Sequence, residues 1–221
     1  MHPLYQFDES LFRSIHVDFR RDWLDFPMRM ITDTGLFHIT GIIFLLILLV
    51  RYFVGEEFLV LRQATGNKLK LFFQGIWKVG ARFELAALLS GAIAGLLTQL
   101  IKRFVSRDRP SNFEYAESLQ MWTFDAHPFP TGDNSFPSGH ATSSFGVAVF
   151  LAWCLRGTEY ALFGWVAILW AALVAFSRVY VGVHFVSDVV AGAAMGAIFA
   201  TLFYQFCSRK GWVVRRADPI D

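Results

Sequence analysis

Three stretches of the chain combine residue types able to hold an anion and move a proton. They are Lys102-x6-Arg109-Pro110 within KRFVSRDRP, Pro137-Ser138-Gly139-His140, and Ser177-Arg178-x5-His184-x3-Asp188. Lys102, Arg109 and Arg178 supply positive charge, and planar guanidinium groups pair bidentately with phosphate oxygens. Ser138 and Gly139 stand where an apolar run begins. A helix starting there offers unpaired backbone N–H groups and room for an oxyanion to come close. Donors of both kinds can stabilise the equatorial oxygens of a phosphoryl group in transfer. His184 and Asp188 are four residues apart, so on a helix they share a face. A carboxylate on one ring nitrogen sets the tautomer and leaves the other nitrogen to attack phosphorus. His140, from a different segment, is then placed to protonate a departing oxygen and afterwards to act as base toward water.

Each stretch taken alone has an ordinary meaning. Basic residues near helix ends commonly anchor a protein at a membrane surface. Ser-Gly-His can merely start a helix, and a His–Asp pair at this spacing can be structural or ligate a metal. These readings weaken because all three clusters fall on one side of the chain's apolar segments. Ionisable groups so close to a bilayer are costly unless they have a task.

The elements that must position these residues are apolar helices. Hydrophobic residues make up 55% of the 221, aromatic residues 17% and charged residues 17%; mean hydropathy is +0.43. A soluble domain carries about a quarter charged residues, so the composition points to a bilayer as solvent. Net charge is only +2, which gives no support to a nucleic acid partner. Segments near 36–54, 80–101, 140–156, 159–177 and 186–207 each approach the roughly 20 residues that a crossing helix needs. In lipid each must satisfy its own backbone, which selects helices. Residues 1–35 lack a cleavable signal pattern, so the first long apolar run is expected to direct insertion. Before it, Leu11, Phe12, Ile15, Phe19, Trp23 and Phe26 recur among charged residues at helical spacing. This suits a helix lying along the interface, or equally an amphipathic helix packed on the bundle. Gly91-x-x-x-Gly95 and Gly192-x-x-x-Gly196 would let helices approach closely. Cys154 and Cys207 read as small buried hydrophobes.

The expected architecture is therefore an all-α membrane bundle forming a single domain over 1–221, with a long Pro-containing loop at 102–139 that carries function. Alternation of spans puts that loop, the turn near 178–186 and the N-terminus on one side. Eleven of the 20 Lys and Arg fall on the other side, and three of the remaining nine are in the candidate site. The positive-inside rule then places the 102–139 loop outside the cytoplasm. Phe113, Tyr115, Met121, Trp122, Phe124 and Phe129 in this loop suit either an aromatic belt or a route for acyl or prenyl chains.

With every position matched, the three stretches resemble the signature of the type 2 phosphatidic acid phosphatase superfamily: KX6RP, PSGH and SRX5HX3D. The resemblance covers about 90 residues in detail. It implies phosphatase chemistry without metal or other cofactor, through a phosphohistidine, on an all-helical fold shared with vanadium-dependent haloperoxidases. It implies His184 as nucleophile oriented by Asp188, His140 as acid and base, and Lys102, Arg109, Ser138, Gly139 and Arg178 as phosphate ligands. Many members have six membrane helices, against five spans and an interfacial helix counted here. Implied substrates are undecaprenyl diphosphate, phosphatidylglycerol phosphate, phosphatidate and lipid A phosphates, met in a bacterial inner membrane with the site facing away from the cytoplasm. Transfer to another acceptor would use the same residues. An anion transporter would use the cations but leaves the His184–Asp188 pair unexplained. A metal hydrolase built on His140, His184 and Asp188 would set its ion against three cations.

Overall fold

The computed structural model describes residues 3–34, 81–110, 134–157 and 160–213. The expected span at 36–54, the 55–79 connection, the tail from 214 and the loop aromatics from Phe113 to Phe129 lie outside the described residues. Six helices are described: α1 (Pro3–Arg13), α2 (Asp22–Thr34), α3 (Ala81–Lys102), α4 (Gly139–Leu155), α5 (Ala161–Tyr180) and α6 (Val186–Arg209). A π-helical turn, Ser14–Asp18, continues α1. Among the described residues no strand forms, and a lone antiparallel bridge joins Asp108 to Asn134.

Helices α3, α5 and α6 are long and apolar enough to cross a membrane, whereas α4 has 17 residues. Their surface is what lipid demands. Large apolar side chains face outward, including Leu96, Leu162, Trp165 and Ile198, while Ser90, Thr98 and Thr142 are buried. With apolar solvent on the outside, apolar contact gives helices little reason to associate, and close backbone packing with small polar bridges takes over. Helix α4 sits at the centre, packed on α3, α5 and α6. Both Gly-x-x-x-Gly pairs face it: Gly91 and Gly95 approach Ser143, and Gly192 and Gly196 approach Ser138, Thr142 and Gly146. A Cβ on Gly192 would lie 2.6 Å from the carbonyl oxygen of Ser138. The absence of a side chain there sets the spacing between the starts of α4 and α6. Phe150, Ala200 and Cys207 form the core at the far end, with Cys154 packed against it.

The amphipathic N-terminal segment is two helices that pack on the bundle at the end where α5 stops and α6 begins. Phe12 is buried with Val179, Phe185 and Val189, and the ring of His16 stacks on it with centroids 5.1 Å apart. His16 Nδ1 lies 2.8 Å from the carbonyl oxygen of Tyr180. Burial lowers the pKa of His16, so it packs as a neutral ring. The helical pattern read through Phe19 to Trp23 is interrupted, because Arg20 turns back to pair with Asp25 at 2.9 Å. The Tyr180 hydroxyl also donates to Asp25, at 2.7 Å. Trp23 and Phe26 remain exposed on the outer face.

Candidate active site

The site assembles where four helix ends meet. Helix α3 ends at Lys102, and the chain beyond it runs beside the chain that returns toward α4. Lys102 Nζ donates to Asn134 O and Asn134 Nδ2 donates to Lys102 O, both at 2.9 Å. The Ser135 amide donates to Arg107 O at 2.6 Å. This pairing holds both ends of the long loop at the site. Helix α4 then begins at Ser138, whose hydroxyl accepts from the Ala141 amide at 3.5 Å as a weak N-cap. The Ser138 amide, expected to be open to an anion, instead donates to the carbonyl oxygen of Asp188 at 3.0 Å. Gly139 and His140 occupy the first helical turn.

Helix α5 ends in a Schellman turn that explains the spacing between Arg178 and His184. Gly182 N–H donates to Val179 O at 3.0 Å and Val183 N–H to Arg178 O at 3.1 Å, with Gly182 at φ +79°. The left-handed glycine reverses the chain and brings His184 back beside Arg178. A Cβ on Gly182 would also lie 2.7 Å from Cε1 of His16.

His184 and Asp188 do not share a helical face, contrary to the spacing argument. His184 precedes α6, and Asp188 is in its first turn, where Oδ2 accepts the Phe185 amide at 2.9 Å. Capping geometry thus brings carboxylate and imidazole together, with Nδ1 3.5 Å from Oδ2. Ser135, which motif reasoning missed, stands between them. Its hydroxyl donates to Asp188 Oδ2 and lies 3.3 Å from His184 Nδ1. The other ring nitrogen, Nε2, lies 3.4 Å from Arg109 NH1, which also donates to Val183 O at 3.0 Å.

Arg109, Arg178, Ser138, His184 and Asp188 are buried, while Lys102, Gly139 and His140 are partly open. His140 lies within electrostatic reach of Lys102, Arg109, Arg178 and His184, so the three stretches converge on one pocket. Arg178 is steadied from α2 by Thr32, whose hydroxyl lies 3.5 Å from NH1 and 2.8 Å from Ser177 Oγ. Burial, reinforced by the charges of Arg178 and Arg109, pulls the His184 pKa down to about 3 against the opposing pull of Asp188. The ring is therefore neutral at ordinary pH. Arg107 was the other omission. It donates to Asp188 Oδ1 and to Asp8 Oδ2, both at 2.6 Å. Its place inside the x6 spacer hid it, since nothing local distinguishes it from Arg103.

Fold and site together define a helical protein of membrane-spanning proportions with a buried, cation-lined histidine pocket. The PAP2 superfamily model matches residues 83–212, a stretch that contains all three motifs. The chain belongs to that superfamily. It is 33% identical over 129 residues to the lipid A 4'-phosphatase of Bacteroides thetaiotaomicron, covering 58% of this chain and 55% of the relative. To phosphatidylglycerophosphatase B of Bacillus subtilis it is 28% identical over 209 residues, covering 90% of this chain and 82% of the relative. The chain spans about half the length of the lipid A phosphatases it matches. In fold it is similar to the crystal structure of a transmembrane PAP2-type phosphatidylglycerolphosphate phosphatase from Bacillus subtilis. The TM-score is 0.64 at 24% identity, covering 99% of this chain and 90% of that one.

Proposed function

We propose that the protein is an integral-membrane phosphatase that hydrolyses a lipid phosphomonoester or lipid diphosphate through a phosphohistidine on His184. The carrying observation is the setting of that ring: Nδ1 beside Ser135 and Asp188, Nε2 toward Arg109 in a pocket shared with His140, Lys102 and Arg178. In the first step His184 Nε2 attacks phosphorus, the P–O bond to the lipid breaks, and His140 gives its proton to the departing oxygen. Lys102, Arg109, Arg178 and the first turn of α4 bind the phosphoryl oxygens. In the second step His140 takes a proton from water, which attacks phosphorus; the P–N bond breaks and phosphate leaves.

Cations carry the charge stabilisation that a metal ion would otherwise supply, so the proposed reaction needs none. The single domain, the interfacial role of α1 and α2 with their exposed Tyr5, Phe7, Trp23 and Phe26, and a site on the extracytoplasmic face of a bacterial inner membrane belong to the same reading. Substrates of the lipid A and phosphatidylglycerol phosphate kinds are proposed by analogy with the relatives.

The test is phosphate release by purified protein from lipid A, phosphatidylglycerol phosphate, phosphatidate and undecaprenyl diphosphate, with and without EDTA. Rapid acid-free quenching should trap an acid-labile, alkali-stable phosphoprotein, absent from His184→Ala. Turnover by folded His184→Ala would remove the nucleophile assignment, and loss of activity in EDTA would remove the metal-free mechanism.

A further inference from the structure

We infer that Arg107 is a positioning residue for the Asp188–His184 pair, and that Asp8 of the N-terminal helix holds it in place. The inference rests on the phosphohistidine reading above and adds two residues that are not among the fixed positions of the three motifs.

Asp188 is gripped at both oxygens. Oδ2 accepts the Phe185 amide and the Ser135 hydroxyl and faces His184. Oδ1 accepts Arg107 NH1 at 2.6 Å. With one oxygen held by main chain and hydroxyl and the other by a guanidinium, the carboxylate cannot rotate without breaking charge-assisted bonds. Arg107 is itself fixed. NH1 also donates to Ser187 Oγ and NH2 to Asp8 Oδ2, each at 2.6 Å, and the guanidinium lies 4.3 Å over the Phe185 ring. Asp8 completes the unit by accepting the Ser187 amide at 2.9 Å, which caps α6 from a different helix. The side chains of Asp8 and Arg107 are 9% and 15% exposed, so water does little to screen the pair.

This arrangement does two things for the reaction. It orients the carboxylate that must stabilise an imidazolium once Nε2 is phosphorylated, since partners behind an orienting carboxylate govern its geometry. It also sets one cation between that carboxylate and a second one, Asp8. The charged groups facing Asp188 are Lys102 at the end of α3, Arg107 from the segment that follows it, His184 from the α5–α6 turn and, through Arg107, Asp8 from α1. Helix α4 faces it through the main chain of Ser138. Removing Arg107 leaves two buried carboxylates without their shared cation.

The experiment measures kcat and KM with short-chain phosphatidic acid for Arg107→Ala, Arg107→Lys and Asp8→Asn. The same measurements are made on Arg107→Ala in an Asp188→Asn background. Arg107→Ala is expected to lower kcat by about 10- to 100-fold with KM within about twofold. Arg107→Lys and Asp8→Asn should fall between this variant and wild type. In the Asp188→Asn background the further loss should be less than about twofold, since Arg107 acts through the carboxylate. Equal losses in both backgrounds, or a loss carried by KM and not by kcat, would show a merely structural role. If Arg107→Ala fails to fold, wild-type kinetics in both Arg107→Lys and Asp8→Asn would overturn the inference. His184→Ala in the same assay separates the two proposals, for an active His184→Ala sinks the underlying mechanism, whereas an inactive one with Arg107 variants at full rate sinks only this inference.

Discussion

The hydroxyl of Ser135 lies 3.3 Å from Nδ1 of His184, closer than the 3.5 Å that separates the same nitrogen from Asp188 Oδ2. Because that hydroxyl donates to Asp188, the ring meets its carboxylate alongside a hydroxyl that can follow it. Ser135→Ala should lower kcat about tenfold with little change in KM, the signature of a group that orients and does not bind substrate. Steady-state kinetics on the purified variant decide it. A variant that changes KM alone would place Ser135 among the substrate ligands instead.

Arg109 reaches Val183 O and His184 Nε2 from one nitrogen, which sets its guanidinium beside the candidate nucleophile. Arg109→Lys keeps the charge but not the fork. Inhibition by inorganic phosphate or vanadate should weaken about tenfold. Isothermal titration or inhibition constants measure this directly, and unchanged constants would take Arg109 out of the anion site.

Burial holds the His184 pKa near 3, below its ordinary 6.5. The unfolded chain therefore binds a proton that the folded protein refuses over that interval. The stability linked to this neutral ring is complete above pH 6.5 and is lost as pH falls toward 3. The variant His184→Gln lacks this penalty. Its Tm relative to wild type should rise steadily from pH 7 to pH 4, measured by thermal unfolding in detergent. A difference that stays flat across that range would mean that the ring takes up its proton in the folded protein as readily as in the unfolded chain.

Gly192 faces Ser138, and a methyl group there would sit 2.6 Å from the carbonyl oxygen. Helices α4 and α6 must separate to admit it. Gly192→Ala should cost about 1–3 kcal/mol by overpacking. Turnover should fall further than Tm suggests, because His140 and Asp188 ride on the two separated helix starts. Parallel measurement of Tm and kcat checks this. A variant with wild-type kcat would show that the site tolerates the movement.

The residues themselves determined the apolar helices, the three motif stretches and the family, because hydropathy and short spacings are properties of neighbouring residues. Four of the five expected spans correspond to described helices, with ends shifted by a few residues; for Ala161–Tyr180 the helix carries Arg178 where a loop began in the reading. What only the tertiary structure decided lies between segments distant in the chain. His184 meets Asp188 through a helix cap and not a helical face. Ser138 gives its amide to Asp188 O, 50 residues away. Arg107 becomes distinct from Arg103 only when Asp8, 99 residues earlier, closes on it. Hydrogen bonds of this kind depend on where folded helices end, and no local pattern of residue types encodes that meeting.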